Sequence, residues 1–138
     1  MKKSFFTILF VSVFLVISSC SLDDGPNFYF VPLQIVGAEL PDSFDLGETY
    51  QIRVQYNQPD ACTAFAGFDV IDQDTTVRNV VVLGTRRTDQ DVCAEMVEEK
   101  SATFNFIVRY SQPYTFRFWQ GESANGEQTY LEVEVPVN

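Results

Sequence analysis

At residues 50–56 apolar and polar side chains alternate without a fault: Tyr50, Ile52, Val54 and Tyr56 fall on one side, Gln51, Arg53 and Gln55 on the other. A period of two fits a strand with one face in a core and the other in water. It does not fit a helix, whose apolar positions recur three and four residues apart. Residues 103–110 repeat the pattern, with Phe104, Phe106, Val108 and Tyr110 against Asn105 and Arg109. Strands leave their N–H and C=O groups unpaired until they join a sheet, so a chain holding two such segments must build sheets from the rest.

The remaining segments allow this. Residues 28–40 read as a first strand at a sheet edge, pairing over 33–39, because Pro32 has no N–H to donate. Residues 65–71 and 77–88 read as two further strands, with Gly84 marking a bulge. The acidic stretch 88–100 is irregular, with room for one helical turn near Glu95 and Glu99. Near the C-terminus, Asn125-Gly126 reads as a two-residue hairpin turn, since both residues tolerate positive φ. Centring the turn there pairs Ala124 with Glu127, Phe118 with Val133 and Phe116 with Val135, and sets Arg117 against Glu134 and Trp119 against Glu132. The 138 residues give one domain of this kind. The expectation is an all-β, two-sheet sandwich of about seven antiparallel strands over residues 28–138.

Two stretches carry a family likeness. Ser43-Phe44-Asp45-Leu46-Gly47-Glu48-Thr49-Tyr50 resembles the approach to the second strand in bacterial immunoglobulin-like domains. Ser111-Gln112-Pro113, leading into Tyr114-Thr115-Phe116-Arg117-Phe118, resembles the crossing between sheets in fibronectin type III domains. The resemblance implies an immunoglobulin-like sandwich.

Ahead of the body, Lys2 and Lys3 precede an apolar run from Phe5 to Ile17 that is shorter than the ~20 residues of a membrane-spanning helix. The run ends in Leu15-Val16-Ile17-Ser18-Ser19-Cys20, which resembles the lipobox of bacterial lipoproteins. That resemblance implies a signal peptide cleaved after residue 19, a lipid (palmitate-type acyl chains) on Cys20, and a tether over residues 20–27. Cys20-Ser21-Leu22-Asp23-Asp24 is similar to the start of surface-exposed lipoproteins of the Bacteroidota, and Ser21 in place of Asp gives no inner-membrane retention signal. The location implied is the outer membrane, lipid-anchored, with either the periplasmic or the external face.

An exported chain meets an oxidising compartment, so Cys62 and Cys93 are expected to form a disulfide, two free thiols being the alternative. Both stand in or beside loops rather than at mid-strand, which would staple two connections at one end of the sandwich.

Composition narrows the function. With no histidine, the usual general base, the commonest zinc ligand and every Ser-His-Asp or Cys-His arrangement are missing. The net charge of −10 becomes −12 once Lys2 and Lys3 leave, which disfavours nucleic acid and anionic membrane faces as partners. Asp72 and Asp74 have a spacing that could offer oxygens to calcium, but a full site needs about six to eight ligands, no EF-hand pattern follows, and local turn chemistry alone accounts for them. Trp119 is out of phase with Phe116 and Phe118, so beside Tyr130 it forms either an outward platform for a sugar or protein partner, or a cover over a sheet edge. The function expected is a non-enzymatic binding or accessory module for a protein or glycan, without cofactor or metal; the alternative is a structural envelope lipoprotein acting by self-assembly.

Overall fold

The computed structural model describes Gly25 and residues 27–138, so Cys20, most of the tether and the leader lie outside the described residues. Eight strands run in order as β1 (Phe28–Leu33), β2 (Ile35–Glu39), β3 (Thr49–Asp60), β4 (Thr63–Asp72), β5 (Val77–Arg87), β6 (Glu95–Ile107), β7 (Tyr114–Glu122) and β8 (Gln128–Val135), and no helix occurs among the described residues. One sheet has the order β2-β3-β6. In the other, β4 lies along one edge of β5, while β7 and β1 share the opposite edge, β7 beside residues 77–80 and β1 beside residues 82–87. β8 follows beyond β7.

The two-sheet all-β sandwich is thus present, with eight strands rather than about seven and with β5 and β7 parallel. A parallel pair needs a long connection, and β6 supplies it by carrying the chain through the opposite sheet.

Alternation places the core. Ile52 and Val54 from β3, Val80 and Val82 from β5, and Phe116 and Phe118 from β7 are fully buried, with Phe106 and Tyr56 nearly so. Tyr110 departs from its expected core position: β6 ends at Ile107 and the Tyr110 side chain is exposed.

Four local expectations change, each for a backbone reason. The single strand expected over 28–40 is two strands in different sheets: residues 28–33 pair with β5 and residues 35–39 with β3, so the backbone crosses from one sheet to the other at Gln34, with Leu33 and Ile35 buried on either side of the crossing. The expected helical turn at residues 95–99 is instead the start of β6, whose Glu95 pairs with Asp60 and Glu99 with Asn57. Gly84 is no bulge; the register shift sits opposite it in β4, between Phe65 and Gly67. A Cβ at Gly84 would stand 3.0 Å from a Leu33 methyl, so the glycine serves the close approach of β1.

The final hairpin is displaced by two residues from the expected register. Among the described residues none other than glycine has positive φ, so Asn125 cannot take part in a type I′ turn. Ala124, Asn125 and Gly126 form a three-residue loop instead, with Gly126 at φ 81° and its N–H donating to Ser123 O at 2.9 Å. A second shift between Trp119 and Gly121 completes the displacement. Phe116 therefore faces Val133, Phe118 faces Leu131, Arg117 faces Glu132 and Trp119 faces Tyr130. An even displacement keeps every side chain on its expected face, which is why the apolar and charged matching survives.

The corner between β6 and β7 is tied by Tyr114. Its ring is fully buried, and its hydroxyl accepts the backbone N–H groups of Arg109 at 3.1 Å and Tyr110 at 3.0 Å. Tyr114→Phe keeps the ring but strands both donors, so a loss of about 2 kcal/mol is expected in urea unfolding. A loss within error of zero would show that water takes over the two bonds.

Candidate functional site

The sandwich has two distinct poles, separated by the length of β5, about 33 Å at the usual strand rise. At one, Phe28 pairs with Arg87, Thr88 N–H donates to Asn27 O, and Cys62 and Cys93 are joined with their Cα atoms 5.5 Å apart. The bond links the turn between β3 and β4 to the connection between β5 and β6, two connections at one end of the sandwich. At the other pole the turn between β4 and β5 meets the end of β6 and the Tyr114 corner.

Beside the disulfide lies an ion pair whose carboxylate is buried and whose guanidinium is partly exposed. The Asp60 carboxylate is 5% exposed and accepts from Cys62 N at 3.0 Å, from Thr63 Oγ1 at 2.8 Å and from the Arg86 guanidinium. Burial alone would push its pKa up. The bonds from Thr63 and Cys62 and the charge of Arg86 outweigh that and hold it below the usual 3.8. Asp60 with the two cysteine sulfurs also makes the one trio among the described residues close enough to hold a metal ion, but the sulfurs are bonded to each other and the carboxylate is occupied.

A pKa lowered by folding means that Asp60 contributes stability above its unfolded value, and that this contribution disappears as pH falls through the folded value. Asp60→Asn should therefore cost about 2 kcal/mol at neutral pH and almost nothing in strong acid. Urea midpoints of the two proteins measured from pH 7 downward should converge below about pH 4; parallel curves would remove the ion pair from the account of acid stability.

The opposite pole holds a cleft of about 600 Å³ between the two sheets. Its floor is the guanidinium of Arg78, a side chain 7% exposed. Nε binds Asp72 Oδ1 at 2.8 Å, NH1 donates to Asp74 O and Val77 O, NH2 donates to Thr75 O, and the Tyr114 ring lies 5.3 Å away. Arg78 is thereby spent on shaping the turn. The mouth is formed by the exposed Tyr110, Asn105 and Arg109 and by the outer side of Asp72. A flat ring, a carboxylate acceptor, a guanidinium donor and an amide that does both converge there. That set complements a ligand with an apolar face and a rim of hydroxyl groups.

This arrangement also bears on calcium. Asp72 is engaged by Arg78, and Asp74 Oδ1 accepts from Thr75 N–H at 2.6 Å. A cation bound between them would stand against a fixed guanidinium, so the pair does not fit a calcium site.

Trp119 and Tyr130 are brought together as direct cross-strand neighbours on the outer face of the β7–β8 hairpin. The Tyr130 face is already used, and the Trp119 ring is fixed by its edge. The Arg117 guanidinium lies 4.3 Å over the Tyr130 ring while its Nε binds Glu132, and Trp119 Nε1 donates to Gln128. Trp119 also borders the groove at Pro32 and Gln34, where the chain changes sheets. The Tyr110 cleft is not visible in the sequence as a site, since it draws on the β4–β5 turn, β6 and the corner after it; the one available signal is a tyrosine and an arginine left over just before Pro113.

Comparison of the chain with protein-family models, with curated proteins and with solved structures gives no match.

Proposed function

We propose that this chain is a lipid-anchored, non-enzymatic binding module, held by acyl chains on Cys20 at an outer-membrane surface and presenting the Tyr110 cleft to a glycan. The observation that carries the reading is polarity. The residues that follow the tether enter the fold at the disulfide pole, and the cleft opens at the other, about 30 Å further along β5. A domain tethered at one end keeps the far end free for partners.

Two experiments test it. Globomycin-sensitive processing and palmitate incorporation at Cys20 would support the anchor, and their absence would remove it. On a glycan array the full chain should bind a defined set of sugars, with Tyr110→Ala and Asp72→Ala each losing about tenfold or more, the loss expected when a stacked ring or a charged hydrogen bond goes. Binding lost on Trp119→Ala but kept on Tyr110→Ala would move the site to the hairpin face. No binding to any glycan would leave a protein partner as the occupant of the module.

One observation bears on the self-assembly alternative. Among the described residues β6 pairs only with β3 and shows Met96 and Val97 to solvent, an edge that a second copy could extend. The same strand carries Glu95, Glu98 and Glu99, so two copies side by side would repel, and the binding module remains the better reading.

A further inference from the structure

We propose that β1 lies on the bilayer, with the rings of Phe28 and Phe30 seated in the headgroup region of the membrane that carries the chain. The proposal rests on acylation of Cys20. Phe28, Tyr29 and Phe30 are consecutive and are 40%, 50% and 63% exposed, a costly display for an isolated soluble domain. Since Leu33 points into the core, alternation puts Phe28, Phe30 and Pro32 together on the outer face of the sheet, where the two phenyl rings meet edge to face at 5.7 Å.

Position identifies the occupant. Phe28 is eight residues after Cys20, a tether that spans roughly 28 Å at full extension and about 16 Å on average if flexible. The two rings are therefore kept within reach of the lipid to which the cysteine is joined. Opposite Phe28, the charge of Arg87 is matched by Asp89 at 2.6 Å, so the patch carries no unmatched cation towards the membrane. With a body this acidic, attachment to lipid has to be apolar rather than electrostatic. Among the described residues β1 pairs with β5 alone, and its other edge still needs water or headgroups, so the strand rests in the interface and does not enter the hydrocarbon.

The test uses the full acylated chain in phosphatidylcholine vesicles with and without brominated acyl chains. Trp119 is the only tryptophan of the native chain and gives the baseline. Phe30→Trp should add blue-shifted emission that the bromolipid quenches about twofold more than the baseline, unchanged when salt is raised about tenfold. Phe28→Trp should report the same from the neighbouring ring. If the Phe30→Trp protein floats with the vesicles while its added emission stays unshifted, the docking is overturned and the anchor is left standing. A blue shift without bromolipid quenching assigns the rings to a second copy and also overturns it. Failure to incorporate palmitate or to float removes the anchor, and the docking with it.

Discussion

Replacing Cys62 and Cys93 together by alanine should lower the unfolding free energy by roughly 3–4 kcal/mol. The bridge spans 31 residues. On the chain-entropy account a closed loop of that length removes conformations from the unfolded chain worth that much, and small domains have only about 5–15 kcal/mol in total. The folded side adds little strain, since the Cα separation of 5.5 Å is the ordinary one for a disulfide. The loop it closes contains the whole of β4 and β5. β5 is the strand that β1, β4 and β7 all pair with, so the bridge restrains the element on which one sheet is assembled. Urea unfolding of the oxidised protein against the double variant should show both a lower midpoint and a steeper dependence on urea, because the unlinked chain exposes more surface when it unfolds. A double variant within about 1 kcal/mol of the native protein would mean that the oxidised unfolded state is no more restricted than the reduced one.

Legibility follows burial. The strands that the sequence makes plain are those with one wet and one dry face: β3 with Ile52 and Val54, the second half of β6 with Phe106, and β7 with Phe116 and Phe118. The first half of β6 has no such pattern, because residues 95–100 carry no buried side chain and are held by backbone pairing to β3. Nothing in side-chain order signals it. The division at Gln34 is hidden because the two neighbours of a sheet-changing residue are both apolar, which looks from sequence like one continuous run. Asn125-Gly126 marks the right kind of connection and the wrong turn, since the dipeptide suits a type I′ turn and equally a three-residue loop with glycine at its end. The Asp60 pair and the Tyr110 cleft join residues dozens of positions apart, so they belong to the tertiary structure alone.

Phe44→Ala should be at least as damaging as loss of the disulfide, at about 3–5 kcal/mol. Phe44 belongs to no strand, yet it is fully buried and its ring meets four others. Tyr50 at 4.8 Å and Phe106 at 5.6 Å come from one sheet, while Tyr114 and Phe116, both at 6.1 Å, come from the other. The backbone around it is equally committed: Phe44 N–H donates to Pro136 O and Asn138 N–H to Phe44 O, each at 2.8 Å, so the C-terminus is sewn to the segment before β3. Truncation would open a cavity that neither sheet can close without separating from its own hydrogen bonds. Phe44→Leu retains most of the volume and should cost less than about half as much. Near-ultraviolet circular dichroism should lose more signal in the alanine variant than removal of one phenylalanine explains, because Tyr50 and Tyr114 lose a fixed neighbour with it. The damage should also reach the cleft, since Tyr114 both packs on Phe44 and holds the backbone of Arg109 and Tyr110. An alanine variant as stable as the leucine one would show that the two sheets are joined elsewhere, and that Phe44 fills space without closing this pole.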